Sequence, residues 1–270
     1  MARQRGVIRW VAILVGIGLV AAPAMAAFTL TDANSTTTID LSSSAGQSSW
    51  VIDGREHLYQ QWFWYRVGSG GESSLDTLTL DSSGASDTNG DGDNESLYAR
   101  YLGTGFKVEL TFVLMGSTPG SHAGEMGIVI TITNTGASAL DFHFFQYADF
   151  DLNQSGGDDT VEITGGNTAH QTTLDGFEVK EEAVDTPMPS YYEAALSPTI
   201  LNSLTDGSAT TLSDAPGPFT GDATWAFQWD KNIGVGGTLL IGKDINIVPE
   251  PATLALVGLA GLGLMWRRKK

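Results

Sequence analysis

Short runs of β-branched and aromatic residues alternate with clusters of Gly, Ser, Asp and Asn throughout residues 27–247. Runs of this length are typical of strands, and the turn-forming clusters between them leave little room for long helices. Over residues 106–114 polar side chains alternate with Val108, Leu110, Phe112 and Leu114, which are expected to face the core. Residues 127–134 are a β-branched run, and residues 238–247 supply the last predicted strand. The pattern predicts an all-β fold, a single β-sandwich-like domain of many short antiparallel strands over residues 27–247.

The chain contains no cysteine. A β-sandwich built from it must therefore be stabilised by its apolar core, or by bound ions, rather than by disulfides. About 220 residues between the two ends of the chain are enough for a substantial core.

Residues 57–67 are the densest apolar stretch outside the two ends of the chain. Strand alternation places Trp62 and Trp64 on one face, and Phe63 and Tyr65 on the other. Large rings on both faces predict a central strand that is covered on both sides. The alternative is that Trp62, Trp64 and Tyr65 form an exposed platform on which sugars stack.

Other segments carry weaker signals. Residues 75–80 are predicted to form a strand, and residues 81–95, which lack large apolar side chains, a surface loop. Residues 127–134 and 140–152, joined by an Asn-Thr-Gly turn, are expected to pair as a hairpin or to lie close together. Residues 191–196, bracketed by prolines, are the candidate for one short helix.

The N-terminus has the pattern of a secretory signal peptide over residues 1–26. A basic start with three arginines precedes an apolar run over residues 10–22. Ala24 and Ala26 then form an A-x-A cleavage site, so the mature chain is expected to begin at Ala27. The alternative is an uncleaved signal anchor.

The C-terminal segment, residues 248–270, joins a Pro-Glu-Pro tripeptide to an uncharged apolar run over residues 252–266 and a basic end. An apolar helix stopped by cations predicts a membrane anchor with a cytoplasmic end. The run is short, since fifteen helical residues span roughly 22 Å against a hydrocarbon core of roughly 30 Å. The residues of the signature are Pro249, Glu250, Pro251, Arg267 and Arg268.

This combination resembles the PEP-CTERM sorting signal of Gram-negative bacteria. The resemblance implies that a membrane-embedded exosortase recognises and removes the tail after the secretion machinery has exported the chain. It also implies an anchored intermediate in the inner membrane and a final location at the cell surface or in the extracellular polysaccharide matrix. The alternative is an ordinary anchor that is never cleaved. The resemblance covers the tail alone and brings no catalytic residues with it.

The charge of the exported part excludes one class of partner. All 31 acidic residues lie between Ala27 and Pro251, together with seven of the 14 basic residues, which gives this region a net charge of −24. Such a surface repels nucleic acid and anionic membranes and attracts divalent cations. We therefore expect no nucleic-acid partner.

One acidic loop has the spacing of a calcium-binding loop. The loop matches most of the EF-hand calcium-binding pattern, since it has oxygen donors at alternate positions, a glycine at Gly92 and a further acid. It departs at Tyr98, where an EF-hand has its bidentate acid. The sequence therefore leaves open a calcium site or a solvated acidic loop. The candidate ligands are Asp87, Asn89, Asp91, Asp93 and Glu95.

A second candidate site follows an aromatic run. Alternation turns Phe142, Phe144, Ala148, Phe150 and Leu152 towards the core. The opposite face carries carboxylates beside a tyrosine, which suits an ion site or a sugar-binding face, the alternative being a hydrated polar face. The candidate residues are Tyr147, Asp149, Asp151, Asp158 and Asp159.

Motifs for catalysis are missing from the sequence. It has no Cys nucleophile, no G-x-S-x-G elbow and no H-E-x-x-H pair, and its four histidines are dispersed. We therefore expect a protein without enzymatic activity that has a structural or adhesive role in exopolysaccharide or biofilm. The alternatives are a calcium-assisted carbohydrate-binding module and, third, a glycan-active enzyme.

Overall fold

The computed structural model describes residues 27–154, 157–174, 176–183 and 187–249. The predicted signal peptide and the predicted membrane helix of the tail lie outside these residues. Within them, no helix is both long and apolar enough to span a membrane. The elements are β1 (Ala27–Asp32), β2 (Ser35–Asp40), β3 (Gly46–Ile52), β4 (Arg55–Glu56), β5 (Gln60–Val67), β6 (Ser73–Ser74), β7 (Thr79–Ser86), β8 (Ser96–Gly103), β9 (Phe106–Gly116), β10 (Gly124–Asn134), β11 (Leu140–Asp149), β12 (Asp159–Thr164), β13 (Thr168–Thr172), β14 (Phe177–Ala183), β15 (Tyr191–Leu196), α1 (Thr199–Thr205), β16 (Phe219–Gly221), β17 (Ala223–Ile233) and β18 (Thr238–Pro249).

These strands form two sheets, which confirms the predicted all-β sandwich. The first sheet has the order β1-β2-β3-β5-β11-β17-β15, with β4 beside β3 and β6 beside β5. The second has the order β16-β12-β13-β14-β18-β10-β9-β8-β7. Strands β3 and β5 are parallel, and the other strand pairs in these two sheets are antiparallel.

The core lies between the two sheets, where alternating side chains of both meet. Strands β9 and β10 direct aliphatic and aromatic residues towards it, and β5 and β11 supply rings from the opposite sheet. The ring centroids of Phe63 and Phe112, from opposite sheets, lie 6.2 Å apart. Burying one such phenylalanine contributes roughly 1.5–3 kcal/mol, so this layer dominates the stability of the fold. The predicted core residues Phe142, Phe144, Ala148, Phe150 and Leu152 are all buried.

The outer face of β5 is covered as well. Trp62 and Trp64 are buried there, and Arg66 on the same face donates from Nη2 to the carbonyl oxygen of Thr210 at 3.2 Å. The segment that follows α1 thus lies over this face of the first sheet. The two tryptophans cannot form an exposed platform, because both are fully buried and Trp62 Nε1 donates to Asp76 Oδ1 at 3.2 Å. The prediction of a strand covered on both sides is confirmed.

Three local predictions are wrong. Residues 191–196 form strand β15 rather than a helix, because their backbone pairs with the edge of β17. The helix begins later, at Thr199. Strands β10 and β11 do not pair, because the turn between them carries the chain from one sheet to the other. Residues 75–77 form a 3-10 turn, and β7 continues to Ser86, so the acidic loop begins at Asp87.

The last strand runs beyond the predicted end of the domain. The domain is predicted to end at Ile247, whereas β18 continues through Val248 to Pro249. Pro249 lies opposite Phe177 of β14 at the end of the ladder. A proline is tolerated at a strand end, where the missing N–H removes no internal hydrogen bond. The first residues of the tail therefore belong to the folded sheet.

A buried ion pair lies within the sandwich. Lys243 Nζ of β18 lies 3.0 Å from Glu181 Oε1 of β14, and both side chains are fully buried. The other carboxylate oxygen, Oε2, accepts hydrogen bonds from Gln146 Nε2 at 3.3 Å and Trp225 Nε1 at 3.0 Å. Burial lowers the pKa of Lys243, and the nearby Glu181 opposes this shift. Side chains of both sheets therefore meet at this single carboxylate.

Candidate functional site

Several elements of the first sheet meet at one end of it. Strand β11 ends at Asp149, whose ladder partners are Gln60 of β5 and Thr224 of β17. The backbone N–H of Tyr59 donates to the carbonyl oxygen of Asp149 at 3.0 Å, which places the residue before β5 beside the end of β11. Residues distant in sequence thereby converge at this end of the sheet.

Three carboxylates form the centre of this region. Carboxylate oxygens of Asp149, Asp151 and Asp222 all lie within 4.8 Å of one another. Asp149 is only 3% exposed, whereas Asp151 is half-buried and Asp222 is exposed. The hydroxyl of Tyr147 donates to Asp149 Oδ2 at 3.0 Å and fixes that carboxyl group. Exposure to solvent therefore increases across the group, from the buried and oriented Asp149 to the exposed Asp222.

Two adjoining cavities open beside the carboxylates. The smaller, about 300 Å³, is lined by Tyr59, Asp149, Asp151, Ser197 and Asp222. The larger, about 760 Å³, shares Tyr59 and Asp151 with it and has mainly small and polar residues on its remaining walls. Tyr59 stands between the two cavities with 64% of its surface exposed. We call this pair of cavities the Tyr59 cleft.

Burial and like charge act together on the acids of the Tyr59 cleft. Burial raises the pKa of Asp149 to about 7, with the charges of Asp222 and Asp151 adding to the shift and the Tyr147 hydroxyl opposing it. Burial also raises the pKa of Asp151. Asp149 thus changes charge close to neutral pH, which makes it suited to bind a neutral ligand or exchange a proton.

The raised pKa of Asp149 links folding to pH. Since an unfolded aspartate titrates near about 3.9, the folded protein holds an extra proton between about pH 4 and pH 7 and loses stability as pH rises through this window. Asp149→Asn removes the charge, and we expect it to stabilise the protein by about 2–3 kcal/mol more at about pH 8 than near pH 5. Urea unfolding of both proteins at the two pH values measures this difference. An equal effect at both pH values would contradict it.

The structure brings together only part of the predicted face. Tyr147, Asp149 and Asp151 lie in the cluster, whereas Asp158 and Asp159 do not belong to its carboxylate group. Asp159 is buried on β12, where its Oδ2 accepts a hydrogen bond from Gln171 Nε2 at 2.7 Å.

The alternative of a hydrated polar face is wrong for Tyr147 and Asp149. Tyr147 is fully buried on the covered side of the first sheet, and Asp149 is almost fully buried. Leu212, on the segment that covers this side, is buried with them, and its N–H donates to Gln228 Oε1 at 2.9 Å.

Sequence reasoning missed Asp222. It stands just before β17, and only the antiparallel pairing of Thr224 with Asp149 brings it to the cluster. No local spacing connects residues so far apart in sequence, so the strand order was needed to find it.

The acidic loop forms a separate group. Carboxylate oxygens of Asp87, Asp91 and Glu95 lie within 4.8 Å of one another, and Asp93 does not belong to this group. Asn89 lies beside the group, because its Nδ2 donates to Asp91 Oδ2 and to Asp32 Oδ1, both at 3.1 Å. Of the four predicted carboxylate ligands, three converge.

Comparison with known proteins assigns the tail. Residues 248–269 match the PEP-CTERM protein-sorting motif. The chain thus carries a PEP-CTERM sorting motif, which supports an exported protein that is sorted by an exosortase. No curated protein matches the chain.

Among the solved structures with a similar fold are three enzymes of low sequence identity. A bacterial glucoamylase complexed with acarbose aligns with a TM-score of 0.57 and 9% identity over 88% of this chain and 34% of its own, so this chain spans about a third of it. A putative aldose 1-epimerase from Escherichia coli K12 aligns with a TM-score of 0.52 and 10% identity, over 83% of this chain and 99% of its own. A galactose mutarotase related enzyme from Lactobacillus acidophilus aligns with a TM-score of 0.52 and 9% identity, over 83% of this chain and 97% of its own. At these identities the likeness shows the fold alone.

Proposed function

Because the chain carries a PEP-CTERM sorting motif and has an exposed tyrosine between two cavities, we propose that it binds neutral polysaccharide outside the cell without chemical turnover. The Tyr59 cleft is the binding surface, and the bound glycan holds the protein in the extracellular matrix in a structural or adhesive role. The observation that carries this proposal is the exposed ring of Tyr59 beside the carboxylates of Asp149, Asp151 and Asp222.

The chemistry of the cleft suits a sugar. A tyrosine ring offers a flat apolar surface with a polar tip, and such rings are typical anchors of binding sites. Carboxylate oxygens accept hydrogen bonds from hydroxyl groups, which sugars carry at nearly every carbon. The amide of Gln60 and small residues such as Ser44 and Ser48 line the larger cavity and leave room for a chain of several sugar units.

Charge favours a neutral glycan over an acidic one. The exported part carries −24, and the cleft itself contributes three carboxylates. An anionic polysaccharide would be repelled by this field, whereas a neutral one meets no such barrier.

Tyr59→Ala tests this proposal directly. We expect the variant to lose about tenfold or more in affinity for the polysaccharide, since exposed aromatic anchors typically contribute more than 1.4 kcal/mol. Stability should stay unchanged within about 0.5 kcal/mol, because the ring is exposed. The measurement is retention on immobilised neutral polysaccharides of α-linked and β-linked glucose and mannose, with urea unfolding alongside.

Val235→Ala provides a matched control, because Val235 is also exposed and lies in the turn between β17 and β18. This variant should bind as the original protein does. Equal retention of the Tyr59→Ala variant and the original protein would overturn the assignment of the cleft. Absence of retention on every neutral polysaccharide would overturn the proposed ligand class.

A glycan-active enzyme is the second candidate function. The observation that favours it is the pKa of Asp149, raised to about 7 beside two further carboxylates. A carboxyl group of this kind can donate a proton to a leaving oxygen near neutral pH. The carboxylate oxygens of Asp149 and Asp222 lie within 4.8 Å of each other, which is close to the roughly 5–5.5 Å between the two carboxyl groups of retaining glycosidases.

Release of reducing sugar from the same polysaccharides separates the two functions. Turnover that is lost in both Asp149→Asn and Asp222→Asn would favour the enzyme. Retention without release, together with normal folding of both variants, would favour the binding protein.

A further inference from the structure

The acidic loop contains a buried carboxylate that is only half satisfied. Glu95, next to the start of β8, is 4% exposed. Its Oε1 accepts hydrogen bonds from the N–H groups of Thr88 at 2.6 Å and Asn89 at 3.2 Å and also from the Thr88 hydroxyl. Its Oε2 is buried and accepts no hydrogen bond from the part of the chain that the structure describes. A buried oxygen of this kind destabilises the fold unless a further group meets it.

The groups nearest to this carboxylate have the same charge. Oxygens of Asp87 and Asp91 lie within 4.8 Å of it. None of the ion pairs between described residues includes Asp87, Asp91 or Glu95. Three anions so close together repel one another unless a cation lies between them.

From this geometry we infer that the loop binds one calcium ion through Asp87, Asp91 and Glu95. The donors are oxygen atoms alone, as calcium prefers, and the loop is short and rich in carbonyl groups that can complete six to eight ligands. Both Asp87 oxygens also accept backbone N–H groups, from Gly90 at 2.6 Å and Gly92 at 3.0 Å, which orients this carboxylate before an ion binds. Glu95 supplies the acid that an EF-hand takes from a later position, where this chain has Tyr98.

The position of the loop gives the ion a structural role. Asn94 O accepts the N–H of Thr31 at 2.9 Å, and Asn89 Nδ2 donates to Asp32 Oδ1, so the loop contacts β1 of the first sheet. The other oxygen of Asp32 accepts the N–H of Gly116, the last residue of β9 in the second sheet, at 2.6 Å. Calcium in the loop thus ties the β1 edge of one sheet to β8 and β9 of the other. This role is independent of the Tyr59 cleft.

Calcium titration of the exported protein tests the inference. We expect one ion per chain by equilibrium dialysis and an increase in Tm of about 5–10 °C when free calcium exceeds Kd by about a hundredfold. A chelator should reverse the shift, and magnesium at the same concentration should give less than half of it. No bound calcium, an unchanged Tm or an equal effect of magnesium would each overturn the inference.

Variants locate the ion. Asp91→Asn should weaken calcium binding by about tenfold or more, whereas Asp93→Asn, an exposed acid of the same loop outside the group, should bind calcium as the original protein does. The double variant Asp149→Asn and Asp222→Asn should keep the single calcium ion. Loss of calcium in that double variant, or equal weakening by Asp93→Asn, would overturn the assignment to this loop while leaving the Tyr59 cleft to be judged by its own experiment.

Discussion

Lys243→Ala is expected to lower the free energy of unfolding by about 3–5 kcal/mol, because it leaves Glu181 as an uncompensated charge inside the sandwich. Both side chains are fully buried, and their charged atoms lie 3.0 Å apart. Gln146 and Trp225 would still donate to Glu181, yet two neutral donors compensate a buried negative charge less well than an ammonium group does. The loss of packing against the Phe63 ring, 5.5 Å from Nζ, adds to the cost.

An ion pair at the surface of β14, the strand that carries Glu181, offers the matched control. Lys180 Nζ lies 3.0 Å from Glu182 Oε2, but the two side chains are 42% and 39% exposed. Lys180→Ala should therefore cost less than about 1 kcal/mol. Urea unfolding of both variants measures the comparison. Similar losses for Lys243→Ala and Lys180→Ala would contradict the view that the buried pair is energetically distinct.

A double-mutant cycle separates charge from packing. Lys243→Met keeps most of the side-chain length, so its cost reports chiefly the unpaired Glu181. Adding Glu181→Gln should recover about 1–3 kcal/mol of that loss, since residues in direct contact couple by this amount. If the second substitution made the protein still less stable, the unpaired charge would not be the cause.

Alternation within a segment predicted the central elements well. Strand β9 turns Val108, Leu110, Phe112 and Leu114 into the core, as the period of two predicts. The two-sided apolar character of residues 57–67 likewise predicted cover on both faces of β5, although not which segment supplies it. These predictions succeeded because each depends on neighbours in the sequence.

Predictions that depend on distant pairing were less successful. Prolines around residues 191–196 favoured a helix, but pairing with β17 decided the outcome and made this segment the edge strand β15. The Tyr59 cleft shows the same limit, since Asp149 and Asp222 meet only through the ladder between β11 and β17. The acidic loop is the opposite case: Asp87, Asp91 and Glu95 lie within nine residues, so local spacing was enough to predict that their carboxylates lie close together, although it also included Asp93, which lies outside the group.

Gly46→Ala is expected to destabilise the protein by about 2–5 kcal/mol, since two separate costs act at this position. Its φ of +56° lies in the left-handed region, which costs an alanine about 1–2 kcal/mol. A Cβ atom there would also meet the Trp62 ring and lie 2.6 Å from the carbonyl oxygen of Gln61, and overpacking of this kind costs about 1–3 kcal/mol. Urea unfolding at neutral pH provides the measurement.

Gly54→Ala isolates the backbone part of this cost. Gly54 has a φ of +77°, but nothing lies within 4 Å of the position that its Cβ would take. We expect a loss of about 1–2 kcal/mol for this variant, so the excess at Gly46 reports the contact with Trp62. Equal losses of stability at the two glycines would mean that β3 and β5 can move apart to accommodate the Cβ atom without a loss of stability.

Ser44 and Ala45, just before Gly46, line the larger cavity of the Tyr59 cleft. A shift of β3 in the Gly46→Ala variant should therefore also weaken retention on polysaccharide, whereas Gly54→Ala should leave retention unchanged.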